Sequence, residues 1–256
     1  MTRIITCSSG KGGVGKTTTV ANLGAALAEM GYDVVVLDAN LTTPNLGMHL
    51  GIPLFPVTLH DVLKGKARLE DAIYRHSSGL KIIPAGIGVN DLKGVDARDL
   101  PAVLLDLVGS ADIVLIDSAA GLGREALAAI ESSDEMLVVT NPDLPSVTDA
   151  LKAVKIAEGL GTKITGVVVN RIDKKRTQLS REEIMTMLDD VPILAEIPES
   201  DLVAEAIANR NPVVHHKPYS DVSIHMKRLA ATLVGKPVES INKPFMQRLM
   251  DFFLLD

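Results

Sequence analysis

The chain has few of the residues that stabilise small secreted proteins or bind metal clusters. It contains one cysteine, Cys7, no tryptophan, and only 3% aromatic residues among its 256 positions. A single cysteine excludes a disulfide within the chain and leaves too few thiolates for a cysteine-ligated cluster. Because Cys7 falls within an apolar run, we expect it to be a small buried side chain.

Long apolar runs are absent as well. No stretch approaches the roughly 18 consecutive apolar residues of a membrane-spanning helix. The N-terminal MTRIITCSSGKGG has too short an apolar part for a secretory signal, because glycine and lysine interrupt it early. These absences predict a cytoplasmic protein, with peripheral attachment at the inner face of the cell membrane as an alternative.

Positive charges are outnumbered: 26 lysines and arginines against 32 aspartates and glutamates give a formal net charge of −6 at pH 7. A protein whose whole surface binds nucleic acid would be strongly basic. One notable basic cluster exists, formed by Arg171, Lys174, Lys175, Arg176 and Arg181. We expect a solvated loop there rather than a DNA-binding patch, and nucleic acid is not predicted to be a partner.

Aliphatic residues are abundant, and their pattern predicts the fold class. Short apolar runs alternate along the chain with segments of helical spacing. The predicted strands are RIITCS, VVVLD, LKIIPA, DIVLID, EMLVVT, KITGVVVN and VPILAEIP. The predicted helices include residues 17–30, 100–108, 124–130, 146–160, 181–188 and 201–209. This alternation predicts an α/β fold of three layers, in which helices cover both faces of a mostly parallel sheet.

The end of the chain differs in composition from the rest. GKPVESINKP, residues 235–244, reads as a linker with two prolines, and FMQRLMDFFLLD follows it. On a helix, the apolar residues of that tail share one broad face. We therefore predict a domain over 1–234, then a linker and amphipathic helix over 235–256. Two interpretations of 244–255 stay open, which are docking on a membrane or partner and packing on the domain's own core.

A phosphate-binding loop follows the first strand and precedes the first helix. Its pattern is Gly, four residues, then Gly-Lys-Thr, and it predicts a P-loop NTPase fold. Backbone N–H groups of such a loop point at phosphate oxygens, the lysine neutralises phosphate charge, and the threonine hydroxyl binds Mg²⁺. The predicted nucleotide-binding residues of this segment are Gly10, Lys11, Gly12, Gly13, Val14, Gly15, Lys16, Thr17 and Thr18.

Two aspartates end neighbouring apolar runs and are expected beside that loop. Asp117 closes DIVLID, and Asp38 closes VVVLD. Ligands of open parallel sheets collect at the carboxyl ends of the strands, so both carboxylates should face the phosphates. Together with Thr17, they are the predicted Mg²⁺ site.

KGGVGKTT, with Lys11 ahead of Lys16, resembles the deviant phosphate loop of the MinD/ParA family of ATPases. The resemblance extends over about residues 3 to 234. TNPDLPSVTDA resembles a segment of the family, and two others match archaeal MinD-like proteins closely, LTTPNLGMHLGI and VTLHDVLKGKARLEDAIY. The resemblance implies ATP and Mg²⁺ as cofactors and an ATP-dependent homodimer in which Lys11 reaches the partner subunit's nucleotide. It also implies a protein regulator or cargo, whose identity the sequence does not give.

The second acid of the family's Asp-x-Asp motif is replaced here. The chain has Asp38-Ala39-Asn40, and the resemblance gives the second position the task of orienting the attacking water. An amide can position water but cannot accept its proton, so we predict slow hydrolysis, with Lys11, Lys16, Asp38 and Asn40 as the catalytic set. The alternative is that Asn40 only caps the turn before LTTPN.

A pocket for the nucleotide base is predicted at two later strand ends. Asn170, in VVVNRID, carries an amide that can pair with the N6/N7 edge of adenine. The alternative is that Asn170 has only a structural role, as an asparagine in a turn. The resemblance adds Arg171 beside it, and Pro198 and Glu199 of EIPES, as residues around the purine. Preference for adenine is implied by the resemblance.

The leading hypothesis is a MinD-like ATP-dependent switch ATPase that positions or recruits partners. The alternatives are a nucleotide-stabilised scaffold with negligible hydrolysis and a ParA-like DNA-segregation ATPase. A cluster carrier of the same superfamily would need a Cys-x-x-Cys pair, which a chain with one cysteine lacks.

Overall fold

The computed structural model describes residues 1–51, 54–173, 175–238 and 241. The strands are β1 (Arg3–Ser8), β2 (Val34–Ala39), β3 (Tyr74–Arg75), β4 (Lys81–Ile83), β5 (Ile113–Ser118), β6 (Glu135–Thr140), β7 (Lys163–Ile172) and β8 (Ile193–Pro198). The helices are α1 (Lys16–Glu29), α2 (Leu46–His49), α3 (Leu59–Leu63), α4 (Leu100–Leu105), α5 (Arg124–Glu131), α6 (Leu144–Leu160), α7 (Arg181–Met187), α8 (Asp201–Ala208), α9 (Val213–His216) and α10 (Asp221–Leu233). Two 3₁₀ turns, Leu69–Ala72 and Ala97–Asp99, precede β3 and α4.

The strands form one sheet in the order β3-β4-β2-β5-β1-β6-β7-β8. Every neighbouring pair is parallel except β3 with β4. Strands β2, β5 and β6 are buried along their whole length, which explains their nearly unbroken aliphatic sequences. The predicted α/β fold with a mostly parallel sheet is therefore confirmed.

Helices cover both faces of this sheet. On one face, α1 and α10 pack together over an aliphatic cluster that includes Leu23, Leu27 and Leu229. On the other face, α4 and α5 cover a second cluster, and α6 and α7 cover a third. Cys7 is completely buried in the first cluster, as its apolar surroundings predicted.

The order of the central strands decides where the functional residues lie. Strand β5 lies between β1 and β2, so the carboxyl ends of these three strands are adjacent. In the ladder Asp38 stands opposite Asp117, and Asp117 stands opposite Cys7, one residue before the end of β1. The phosphate loop that follows β1 is thereby brought beside both aspartates.

The predicted helices that the structure describes are present with shifted ends. Helix α6 begins at Leu144 rather than 146, because Asp143 is its N-cap and Pro145 occupies its first turn. Helix α4 ends at Leu105 rather than 108. Helix α10, which was not among the predicted segments, carries buried Val222 and Met226 at helical spacing behind the N-cap Ser220.

The chain beyond α10 begins against the body of the protein. Lys236 donates a hydrogen bond to the carbonyl oxygen of Met30 at 3.2 Å and lies 4.7 Å from the ring centroid of Tyr32. The predicted tail helix over 244–255 lies outside the described residues. Among the helices of the described ranges, none has the length and hydropathy needed to cross a membrane.

Candidate nucleotide-binding site

The phosphate loop occupies the turn between β1 and α1. Helix α1 starts at Lys16, so its first N–H groups and the positive end of its dipole face the loop. Gly15 has a left-handed φ of 92°, and a Cβ atom there would lie 2.1 Å from Nδ2 of Asn170. Only glycine fits this position, because the loop passes directly over the side chain of Asn170.

Lys16 is buried beside the aspartate at the end of β5. Its Nζ atom is 2.7 Å from Oδ1 of Asp117 and also donates to the carbonyl oxygen of Ser118. Lys16 is 7% exposed and Asp117 is fully buried, so little water screens the pair. The ammonium group is thus held at the phosphate loop, beside the predicted Mg²⁺ residues.

Asp117 keeps one oxygen available in this arrangement. Its Oδ2 atom is buried and has no hydrogen-bond partner among the described residues. A buried carboxylate oxygen without a partner is costly unless a cation or water reaches it. The carboxylate of Asp117 therefore fits a role beside Mg²⁺, a hard cation that prefers oxygen ligands.

Asp38 is buried too, but its oxygens are already occupied. Oδ1 accepts the N–H of Asn40 at 3.1 Å, and Oδ2 accepts the N–H groups of Asn45 and Leu46 at 3.1 and 3.0 Å. Burial raises the pKa of Asp38, and the neighbouring carboxylate of Asp117 raises it further. The N–H groups of Leu46 and Asn40 and the charge of Lys16 lower the pKa without cancelling the rise. Through its three backbone hydrogen bonds, Asp38 also organises the loop that follows β2.

Asn40 caps a turn in that loop. Its Nδ2 donates to the carbonyl oxygen of Thr43 at 2.6 Å, while its Oδ1 accepts from the N–H and hydroxyl of Thr43. In this conformation the amide therefore performs the turn-capping role that was the alternative interpretation. Orientation of the attacking water by Asn40 stays a prediction.

A contact that the sequence did not predict joins this loop to α5. The hydroxyl of Thr42 donates to Oε1 of Glu125 at 2.5 Å, and its N–H donates to Oε2 at 3.3 Å. Glu125 is in the first turn of α5, the helix that follows SAAGLG, residues 118–123. The two loops that flank the predicted phosphate site are thus connected. The sequence offered one signal for this contact, which is that both loops follow the ends of predicted strands.

Lys11 has a different environment from Lys16. It is exposed, and among the described residues its ammonium group forms no hydrogen bond or ion pair. The loop backbone at this point is nevertheless fixed, because the hydroxyl of Ser9 donates to the carbonyl oxygen of Lys11 at 3.0 Å. A charge presented outward from a fixed backbone is free to contact another molecule.

The threonines that follow Lys16 lie in the first turn of α1. Thr17 and Thr18 are both half-buried. The hydroxyl of Thr18 is 3.4 Å from Nε2 of His49, and Nδ1 of the same ring is 3.0 Å from the carbonyl oxygen of Asn45. Helix α2 therefore connects the phosphate loop to the loop held by Asp38.

A cavity of about 180 Å³ lies beside the phosphate loop where the base pocket was predicted. Its lining includes Gly15, Thr18, Asn170, Arg171, Pro198 and Glu199. Asn170 donates from Nδ2 to the carbonyl oxygen of Val14 at 2.8 Å, which joins the end of β7 to the phosphate loop. The structure thus brings together the residues predicted for phosphate and base, while pairing of Asn170 with adenine stays a prediction.

Most of the basic cluster is matched by acidic neighbours. Nε of Arg176 is 3.0 Å from Oδ2 of Asp173, and Nη1 of Arg181 is 3.0 Å from Oε2 of Glu196. Arg171 is 3.7 Å from Glu199, at the rim of the base pocket. Such pairing reduces the positive potential that DNA phosphates would require, and Lys174 lies outside the described residues.

Four features of the site together place this chain in the class of P-loop nucleotide-binding proteins. They are the order of the central strands, the glycine-rich loop, the buried lysine and the aspartates at the strand ends. Comparison with known proteins gives the family. The model of the CobQ/CobB/MinD/ParA nucleotide binding domain matches residues 5–213. An uncharacterised ATP-binding protein of Methanocaldococcus jannaschii is 42% identical over 236 residues, which are 92% of this chain and 89% of that protein. The chain belongs to the CobQ/CobB/MinD/ParA family, as its motifs predicted.

Solved structures agree with this assignment. The septum site-determining protein MinD of Pyrococcus horikoshii, in complex with Mg-ADP, has a TM-score of 0.88 and 40% identity, covering 91% of this chain and 96% of that one. MinD in the MinC:MinD cell division complex of Aquifex aeolicus has a TM-score of 0.82 and 31% identity, covering 92% and 97%. The similarity to MinD thus extends over most of both chains.

Proposed function

We propose that this protein is a MinD-like switch ATPase, which binds Mg-ATP, dimerises in the ATP state, hydrolyses ATP slowly and thereby controls the recruitment or positioning of partners. The observation that carries the proposal is the contrast between two lysines of one loop. Lys16 is buried against Asp117, whereas Lys11 is exposed on a fixed backbone. One lysine serves the chain's own phosphates and the other is available to a second subunit.

ATP and Mg²⁺ are the cofactors of the proposed reaction, in agreement with the Mg-ADP complex of the P. horikoshii protein. Thr17 and Asp117 would hold the ion with its water shell, and the unpartnered Oδ2 of Asp117 supports this assignment. When bound, Mg²⁺ neutralises the charge that develops on the transferred phosphate. Asp38 contributes negative charge next to Asp117, and its backbone hydrogen bonds fix the loop that carries Asn40.

The binding step rests on residues that the structure groups together. Lys16 exchanges the carboxylate of Asp117 and the carbonyl of Ser118 for phosphate oxygens when ATP enters. The N–H groups at the start of α1 bind the same phosphates. Asn170 and Pro198 border the cavity for the base, and Asn170 also fixes the phosphate loop through Val14.

Hydrolysis is proposed to be slow because of Asn40. Phosphoryl transfer needs a positioned water more than a strong base, so an amide suffices for some turnover. In the structure, however, that amide is engaged with Thr43 and must leave it to reach a water near the phosphates. Both the missing basicity and this competing contact reduce the rate.

MinD of A. aeolicus forms a complex with MinC, and by analogy we propose a protein regulator or cargo that recognises the ATP-bound dimer. The proposed role of residues 244–255 in membrane attachment concerns a segment outside the described residues. Nucleic acid is disfavoured by the net charge of −6 and by the acidic partners of the basic cluster.

Phosphate release from the purified protein tests the proposed ATPase. We expect slow turnover in the wild type and a rate about 100-fold higher in Asn40→Asp, because the carboxylate restores a proton acceptor. Glu131→Gln, on the exposed surface of α5, is a matched control that should leave the rate unchanged.

The outcomes separate the switch from the scaffold. Vigorous turnover by the wild type would contradict the slow hydrolysis proposed from Asn40 and would remove the scaffold alternative. Absence of turnover in both proteins, with ATP binding intact, would favour a nucleotide-stabilised scaffold over a switch. Retention on DNA that falls with salt would instead favour a ParA-like segregation ATPase.

A further inference from the structure

A buried histidine outside the phosphate site contacts two loops at the carboxyl edge of the sheet. His60, in α3, is 0% exposed. Its Nε2 atom is 3.1 Å from the carbonyl oxygen of Leu41, and its Nδ1 atom is 2.9 Å from the backbone nitrogen of Gly86. One imidazole thus connects the loop after β2 with the loop after β4.

These contacts determine the protonation of the ring. The N–H of Gly86 donates to Nδ1, so Nδ1 carries no proton, and Nε2–H must then be the donor to Leu41. Burial lowers the pKa of His60, which favours this neutral form. An apolar side chain of the same size would leave the N–H of Gly86 and the carbonyl of Leu41 without these partners, at a cost for buried groups.

Helix α3 is itself well fixed. Thr58 and Asp61 form a capping box at its start. The N–H of Leu59 donates to the carbonyl oxygen of Pro84 at 2.8 Å, which binds the helix to the end of β4. His60 therefore extends from a rigid support towards the loop after β2.

Leu41, whose carbonyl His60 holds, directly follows Asn40. Asp38 fixes this loop at Asn40, Asn45 and Leu46, but none of these contacts holds the backbone at Leu41. We propose that His60 is a positioning residue for ATP hydrolysis, which holds Leu41 so that the backbone at Asn40 stays where the Asn40 side chain, once released from Thr43, can reach a water near the phosphates. This inference rests on the proposed ATPase function, because it assigns His60 a role in that reaction.

The test compares turnover with nucleotide affinity in His60→Phe. A shift of about 1 Å in a positioned group costs about 10- to 100-fold in rate, so kcat should fall by that factor while the Kd for ATP stays within about threefold. The effect should depend on Asn40: the double variant His60→Phe/Asn40→Ala should be no slower than Asn40→Ala alone. Leu63→Ala, which opens a cavity in the same helix but removes no hydrogen bond to either loop, controls for general loosening.

Three results would overturn the proposal. The first is a double variant whose rate loss equals the product of the losses in His60→Phe and Asn40→Ala. The second is a loss of ATP affinity in His60→Phe as large as its loss of kcat. The third is a loss of kcat in Leu63→Ala equal to that in His60→Phe. If the wild type shows no turnover, the proposed function fails, and hydrogen exchange then decides the anchoring role separately. We expect the backbone amides of Leu41, Thr42, Thr43 and Asn45 to exchange at least about tenfold faster in His60→Phe, with those of the phosphate loop unchanged. Equal exchange rates in the two proteins would contradict the anchoring role.

Discussion

At the residue scale, the candidate site combines buried charges that have different partners. Lys16 and Asp117 neutralise each other, whereas Asp38 is surrounded by backbone N–H groups and by a like charge. Repulsion between adjacent carboxylates is tolerated in a buried site when a bound cation relieves it. We interpret the pair Asp38 and Asp117 as charge that is retained for Mg-ATP rather than for stability.

Without nucleotide, Asp38 should make stability fall as pH rises. Its folded-state pKa is raised above the unfolded value, so the folded state binds more protons between the two values, and stability is lost as pH rises through them. Urea unfolding at several pH values from about 4 upward, without nucleotide, should show a shallower decline in Asp38→Asn than in the wild type. Parallel pH dependences of the two proteins would contradict this account.

Gly15 should tolerate no side chain. Gly15→Ala forces a left-handed residue at about 1–2 kcal/mol and pushes its Cβ into Asn170. Gly31→Ala is the matched control, since Gly31 has the same φ of 92° but no atom within 4 Å of an added Cβ. Calorimetric titration with ADP should show binding lost in Gly15→Ala and kept in Gly31→Ala. Equal ADP affinity in both variants would show that Asn170 does not constrain the loop.

At the element scale, the loop after β2 is held from several sides. Asp38 holds its two ends, His60 holds Leu41, and Glu125 holds Thr42. The helix that supplies Glu125 begins just after the SAAGLG segment, so the contact with Thr42 connects this segment to the loop after β2. These contacts give a physical route from the phosphate site to the surface around α5.

The contact between Thr42 and Glu125 should be measurable by a double-mutant cycle. Because Thr42 is exposed, we expect a coupling of about 0.5–1 kcal/mol between Thr42→Val and Glu125→Gln in the free energy of unfolding. Pairing Thr42→Val with Glu131→Gln, on the same helix, should give a coupling near zero. A coupling energy near zero in the cycle with Glu125 as well would mean that the two loops are not connected through this contact.

Sequence patterns predicted seven of the eight strands, the phosphate loop and the strand-end aspartates because these depend on local order along the chain. Strand β3 was missed because its two residues, Tyr74 and Arg75, are too few to form an apolar run. The glycine spacing identifies the loop, and an apolar run that stops at Asp117 identifies a strand end. The contacts of His60, Glu125 and Thr42 depend on which loops the sheet order brings together, and no local pattern contains that information. The turn that Asn40 caps through Thr43 is local, and capping was one of the two roles that the sequence left open for Asn40.

At the scale of the whole molecule, one edge of the sheet contains the entire candidate site. The phosphate loop, both aspartates, the Asn40 loop and the base pocket all follow the carboxyl ends of neighbouring strands. Lys11 is exposed at this edge, so a second subunit that faces it could receive the lysine. The central claim is therefore that ATP, through Lys11, drives assembly of two copies.

Sedimentation velocity with and without Mg-ATP tests this claim most directly, using Asn40→Ala to prevent loss of ATP during the run. We expect monomers without nucleotide and dimers with Mg-ATP, monomers in both conditions when Lys11→Ala is added, and normal dimers when the exposed Lys66→Ala is added instead. ATP-dependent dimers that persist in the Lys11→Ala protein, or monomers throughout despite bound ATP, would contradict the account.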